Sequence, residues 1–208
     1  MNPMNPQLQP ALDTILAEVQ RRMVNGKRPF LVALDGGSGA GKSTLAAFLA
    51  RRLNAALIPS DDFYSAHISD AEWDAYTPQE KVRNVIDWRR LRTDALEPLL
   101  AGKPVKWHPF DFEKERPDGT YPLSEHFVER QPADVIVLDG AYSTRPELSD
   151  LIDLMVLVDV PIEVRHKRLD AREPADFLRS WHARWDESEA YYFTHVRPSS
   201  AFDLIVSP

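Results

Sequence analysis

The stretch from Leu31 to Thr44, LVALDGGSGAGKST, constrains this chain more than any other, because an apolar run leads into a glycine-rich turn and then a helical pattern. Gly36 to Ser43 fits G-x-x-x-x-G-K-[ST], with Phe30 to Leu34 before it and Leu45, Phe48, Leu49 and Leu53 at helical spacing after it. A strand, loop and helix in this register make a phosphate cradle. Gly36, Gly37, Gly39 and Gly41, with Ser38 and Ala40 between them, let backbone N–H groups turn inward on an anion where a helix dipole also favours negative charge. Lys42 adds a mobile charge for the outer phosphates, and the Ser43 hydroxyl suits Mg²⁺. Gly36 to Thr44 is therefore the candidate nucleotide-binding segment. A turn that merely capped a helix would have no need of lysine, hydroxyl, strand and helix together.

With 208 residues, of which 43% are hydrophobic, one domain with a substantial core is expected. We expect a tail over residues 1–10, a single domain over 11–208, and a lid near 162–180. The net charge of −7 argues against a broad nucleic-acid surface. The absence of cysteine removes disulfides, cysteine-type zinc sites and thiol catalysis, and agrees with a cytoplasmic location. No apolar run reaches the length of a membrane span. The six histidines show no spacing of the H-E-x-x-H kind, so the spacing assigns no zinc.

Along the chain, Pro10 is placed to start a helix. Leu12, Ile15, Leu16, Val19 and Met23 form its apolar stripe, and Gly26 and Pro29 end it. Ala55 to Ile58 reads as a short buried strand. His67 to Asn84 suggests loops or short helices, and Trp88 to Leu100 a helix closed by Gly102. The segment Val105 to Phe112, broken by Pro109, suits an edge strand or an excursion outside the main sheet. Glu113 to Gly119 is a charged turn. Val135 to Leu138, Leu154 to Val158 and Phe202 to Val206 read as further strands, with helices over Ile162 to Arg172 and Ala175 to Tyr192. Five short apolar strands alternating with helices predict a three-layer α/β fold, its mainly parallel sheet covered on both faces.

Three groups of residues carry chemistry. Asp61 and Asp62 follow the second strand, at the sheet edge where ligands gather, and one of them suits a base for an acceptor hydroxyl; we take Asp61. Turn capping is the other role such a Ser-Asp-Asp cluster fills. Asp139 ends an apolar strand in the manner of a Walker-B carboxylate and is a metal-ligand candidate, as are Ser43 and Asp61. Arg165, Arg168 and Arg172, at i, i+3 and i+7, share a helix face and suit a lid over the transferring phosphoryl group. A solvated face offset by Asp170 and Glu173 is the alternative. Trp181, Trp185 and Tyr192 read as packing.

With these residues in view, nearly the whole chain resembles the uridine kinase family of P-loop kinases. GGSGAGKST is similar to the family's first motif, and Ser60-Asp61-Asp62-Phe63-Tyr64 to its D-[SD]-F-[YF] motif, whose first Asp is the base. His108-Pro109-Phe110-Asp111-Phe112 resembles P-x-Y-D-F beside the nucleoside, and Asp139-Gly140 stands where the family has Glu-Gly. Arg165 to Glu173 is similar to the R-x-x-R-x-x-x-R-[DE] lid, and Arg197-Pro198 to Asp203 to the loop near adenine. A tyrosine is replaced by Phe110, and the histidine after Y-D-F is absent, with Glu115 near its place. Asp87 to Leu91 (DWRRL) and the paired tryptophans look closer to a bacterial branch named by likeness to uridine kinase.

The resemblance implies a P-loop NTPase fold with a five-stranded sheet and a small helical lid. It implies ATP and Mg²⁺ as cofactors and a small-molecule hydroxyl as acceptor, such as uridine or cytidine. Lys42, Asp61, Arg165 and Arg168 would be catalytic, Arg172 and Pro198 would join the loop around the nucleotide, and Tyr64, Asp87, Phe110, Asp111 and Arg116 would form the acceptor pocket. Kinases of nicotinamide riboside, pantothenate or sugar type, nucleoside monophosphate kinases, and a nucleotide switch without an acceptor are the alternatives. The reading allows a homo-oligomer.

Overall fold

A computed structural model describes residues 6–24 and 29–208. Pro6–Leu8 forms a 3-10 turn that feeds helix α1, Gln9–Met23, so the ordered path begins before Pro10, the expected end of the tail. Leu8 is drawn in because it is apolar and buried beside Ala11 and Leu12. Residues 1–5 of the expected tail, and the expected helix stop at Gly26, lie outside the described residues.

Strand β1, Phe30–Asp35, is buried throughout and runs into the glycine loop. Helix α2, Lys42–Leu53, starts from Gly41 and ends on Asn54, whose left-handed backbone turns its N–H onto the Ala50 and Arg51 carbonyls. Strand β2, Ala56–Pro59, leads to a 3-10 turn at Ser60–Phe63. Short helices α3, Asp70–Ala75, and α4, Pro78–Asn84, each begin with a reciprocal cap, Ser69 with Glu72 and Thr77 with Glu80. The next helical stretch comprises α5, Trp88–Arg90, a π-helical turn, Leu91–Leu96, and α6, Glu97–Leu100. Strands β3, Val105–Trp107, and β4, Val128–Arg130, pair antiparallel outside the main sheet.

The rest of the chain supplies β5, Val135–Asp139, β6, Leu154–Val158, α7, Ile162–Asp170, α8, Ala175–Tyr191, a π-helical turn at Tyr192–Val196, and β7, Leu204–Val206. Among the described residues five strands form one parallel sheet in the order β2-β5-β1-β6-β7. Side chains alternate between its faces. Leu31, Ala33, Ile136 and Leu138 pack with Trp73, Leu91, Leu96 and Trp185, while Val32, Leu34, Val137 and Val156 pack with α1 and α2. The expected three layers follow directly.

Asp35, fully buried at the end of β1, joins three segments. Its Oδ1 accepts from the Gly36 N–H at 2.7 Å and the Tyr142 N–H at 2.9 Å. Its Oδ2 accepts from the Thr144 N–H at 3.0 Å, the Thr144 hydroxyl at 2.6 Å and the Tyr192 hydroxyl at 2.7 Å. A buried carboxylate needs such donors, and together they lock the loop's entry to the segment after β5 and to the end of α8. Tyr192→Phe removes one donor without changing shape. It is expected to cost about 1–3 kcal/mol, read as a lower urea midpoint. An unchanged midpoint would show that this contact adds nothing.

Candidate active site

The strand register assembles the site. Leu34 pairs with Asp139 on one side of β5 and Pro59 pairs with Asp139 on the other, so the residues following β1, β2 and β5 emerge at one carboxyl edge. Asp35, Ser60 to Asp61 and Asp139 to Gly140 thereby become neighbours. Gly140 is required there: at φ +150°, an added Cβ would lie 1.8 Å from Ser60 Oγ. A cleft of about 700 Å³ opens over this edge, with Lys42, Ser43, Asp61 and Gly140 in its lining. A separate depression of about 510 Å³, between 53–56 and 130–134, lies at the opposite ends of β2 and β5.

The loop is braced from behind. Lys42 is buried, and its ammonium donates to the Gly37 carbonyl at 3.0 Å. Ser38 donates to Glu189 Oε1 through its N–H at 2.8 Å and its hydroxyl at 2.5 Å. Arg165 donates from Nη1 to the Ser38 carbonyl and to Glu189 Oε2, each at 2.9 Å. Arg168 donates to the Ala40 carbonyl at 3.2 Å. Gly39, at φ +79°, lets the loop pass so close to α7 that a Cβ would meet the Arg165 carbonyl at 2.6 Å.

The expected lid therefore divides. Arg165 and Arg168 hold loop carbonyls and stand outside the cleft lining, because Glu189 and the loop backbone claim their donors. Arg172 does line the cleft, in an exposed pair with Glu173 at 2.7 Å.

The two adjacent aspartates also part. Asp62 accepts from the Trp107 indole N–H at 2.8 Å, a structural contact, whereas Asp61 faces the cleft. Asp61 meets cleft solvent, yet protein walls surround it, and the resulting desolvation pushes its carboxyl up against the opposing pull of Lys42. Asp139 is buried and pushed up to about 6, chiefly by desolvation, with Lys42 and a hydrogen bond from Ser43 acting in the other direction. Its Oδ1 is buried with no hydrogen-bond partner among the described residues. An orphaned carboxylate oxygen beside the Ser43 hydroxyl and Asp61 is a hard, all-oxygen donor set that fits Mg²⁺.

Beyond the carboxylates the cleft wall is aromatic. Tyr64 packs against Phe110 at 5.0 Å between ring centroids, Phe112 at 5.6 Å, Trp73 at 5.8 Å and Trp185 at 5.9 Å. Tyr64 and Phe110, two of the residues expected around the acceptor, both line the cleft. Asp87 instead caps α5, accepting from the Arg90 N–H at 2.9 Å. Asp111 accepts from the Glu113 N–H at 3.1 Å, and Arg116 closes the 116–120 turn onto Thr120 at 2.8 Å. Thr44 is exposed, and Pro198 precedes the 3-10 turn at Ser199–Ala201. These five lie outside the cleft lining.

Sequence reasoning passed over Asp35, Glu189 and Arg184. Arg184 lines the cleft and is neutralised by Asp70 at 2.8 Å and Asp74 at 2.7 Å. No local motif marks these residues; only Asp35, ending an apolar strand immediately before the glycine loop, carried a readable signal.

A family model described as RNA helicase matches residues 32–104, about a third of the chain, which includes the phosphate loop and Asp61 but stops before β5 and Asp139. The uridine kinase of Halobacterium salinarum is 28% identical over 173 residues, covering 81% of this chain and 72% of that protein. A structure from Bacillus stearothermophilus described as a possible uridine kinase superposes with a TM-score of 0.68 at 19% identity, covering 95% of this chain and 98% of its own. The D-glycerate 3-kinase of Cryptococcus neoformans superposes with a TM-score of 0.63 at 15% identity, covering 98% and 96%. This chain is thus a relative of proteins named uridine kinase in sequence, and its fold is the three-layer α/β fold of P-loop kinases.

Proposed function

We propose that this protein transfers the γ-phosphoryl group of ATP to a hydroxyl of a small molecule, with a nucleoside such as uridine or cytidine as the acceptor class. The observation that carries the reading is one cleft shared by Lys42 and Ser43 at one end, Asp61 in the middle and an aromatic wall beyond. Loop N–H groups orient the triphosphate, and Lys42 neutralises its outer charge. Ser43 and Asp139 would hold Mg²⁺ close to Asp61, and the ion would supply positive charge to the phosphate oxygens. Asp61 accepts the acceptor hydroxyl's proton, a role for which a desolvated carboxylate is the stronger base. Tyr64 and Phe110 belong to the apolar aromatic wall against which a planar acceptor would pack, and Arg172 supplies positive charge from the lid.

A nucleoside monophosphate acceptor would call for free cationic groups beside the aromatic wall. Arg184, the cation on that wall, is already satisfied by Asp70 and Asp74, which favours an uncharged acceptor. Purified protein with ATP and Mg²⁺ is expected to consume ATP only when nucleosides, sugars or vitamin precursors are added. Turnover with nucleosides supports the full reading. Turnover confined to a sugar or vitamin precursor keeps the kinase and replaces the acceptor. Acceptor-independent hydrolysis, or none, sinks it.

A further inference from the structure

We propose that His166, His182 and Asp186 form a second metal site, for an ion of the Zn²⁺ class, that fastens α7 to α8. His182 and Asp186 are one turn apart on α8, and His166 reaches them from α7. His182 Nδ1 lies 3.0 Å from Asp186 Oδ1, and His166 Nε2 lies 3.2 Å from Asp186 Oδ2. The two imidazole centroids are 4.1 Å apart, and one ligand atom from each residue falls within 4.8 Å of the others. Metal bonds of about 2.0–2.1 Å in tetrahedral array put neighbouring ligands about 3.3 Å apart, so little movement is required.

A second observation points to a ligand. His166 Nε2 is buried, yet it makes no hydrogen bond among the described residues despite its closeness to Asp186. A buried ring nitrogen 3.2 Å from a carboxylate oxygen, yet not hydrogen-bonded to it, is an unsatisfied polar group beside a negative charge, an arrangement that a bound cation would relieve. Two imidazoles and one carboxylate are borderline donors that select Zn²⁺, Co²⁺ or Ni²⁺ over Mg²⁺, in contrast to the all-oxygen set at Ser43 and Asp139. The partial exposure of all three residues leaves room for water at the remaining coordination position.

The ion bridges the two helices that brace the phosphate loop, since α7 carries Arg165 and Arg168 and α8 carries Glu189. The spacing of the histidines in sequence concealed the site because 15 residues, and a helix turn-around, separate His166 from His182.

The test is titration of the whole, metal-free protein with Co²⁺ in the absence of nucleotide. About one equivalent is expected to produce visible d–d bands of a four- or five-coordinate ion, which Zn²⁺ abolishes by competition. His166→Gln and His182→Gln are each expected to weaken binding roughly a hundredfold, at or beyond the upper end of what second-shell changes cost, while Asp139→Asn leaves it intact. Ring NMR signals of the unsubstituted protein give the same answer without any variant. Zn²⁺ must shift His166 and His182 and spare His67, His108, His126 and His195. Absence of the bands, bands that survive in both histidine variants, or bands lost in Asp139→Asn alone would overturn the assignment.

Discussion

Asp61→Asn is expected to lower turnover about 10²–10⁴-fold while nucleotide affinity stays within a factor of a few, because the substitution preserves shape and removes only the proton acceptor. Neighbouring carboxylates cannot take over. Asp62 is held by the Trp107 indole, and Asp139 is buried beside Ser43. Desolvation by the surrounding cleft walls raises the Asp61 carboxyl, so the acid limb of the rate profile should sit above the ordinary carboxylate range and vanish in the variant. Steady-state rates across pH, set beside nucleotide binding by calorimetry, check both halves. Equal loss of rate and of nucleotide binding would mean that Asp61 serves the metal and not the acceptor.

Asp139→Asn should stabilise the nucleotide-free protein at neutral pH and at the same time disable it. A carboxyl raised from 3.8 to about 6 in the folded state holds its proton where the unfolded chain has released it. Its contribution to stability is therefore complete below pH 3.8 and is lost as pH rises toward 6. Above that window the folded protein carries an unfavourable charge worth up to about 3 kcal/mol, at about 1.4 kcal/mol per unit. Asparagine removes it. The difference in melting temperature between variant and parent should grow from pH 4 to pH 6 and then level, while Mg²⁺-dependent activity falls at least a hundredfold, roughly the loss of one electrostatic stabiliser. A difference that stays flat with pH would place the titration elsewhere.

The parts of the site that were legible from sequence are those in which local order carries the chemistry. The glycine loop, Lys42 and Ser43 act through neighbours a few residues away, and the ends of β2 and β5 could be read from apolar runs followed within three residues by an aspartate. The caps at Ser69 and Thr77 were equally readable, since S/T-x-x-E precedes each of the short helices left open between His67 and Asn84. What sequence could not supply is direction. Arg165 and Arg168 have the spacing of a lid, but which side of the loop a guanidinium reaches depends on Glu189 arriving from α8. Asp111, within the 108–112 segment expected beside the acceptor, and Arg116, just after it, are each absorbed by their own turns. Strand β4 escaped notice because three half-exposed residues have no periodicity to read.

The brace on the phosphate loop also bears on how the protein folds. Ser38 meets a residue 151 positions further along the chain, and Asp35 one 157 positions further. Contacts of such long range lose loop-closure entropy before they return any stabilisation, which slows folding. A nascent chain that has emitted β1, the loop and α2 holds every residue of the nucleotide motif but lacks the clamp that shapes it. Nucleotide affinity in this protein should therefore emerge late in synthesis, when α8 and Tyr192 dock, and not when the motif itself is made.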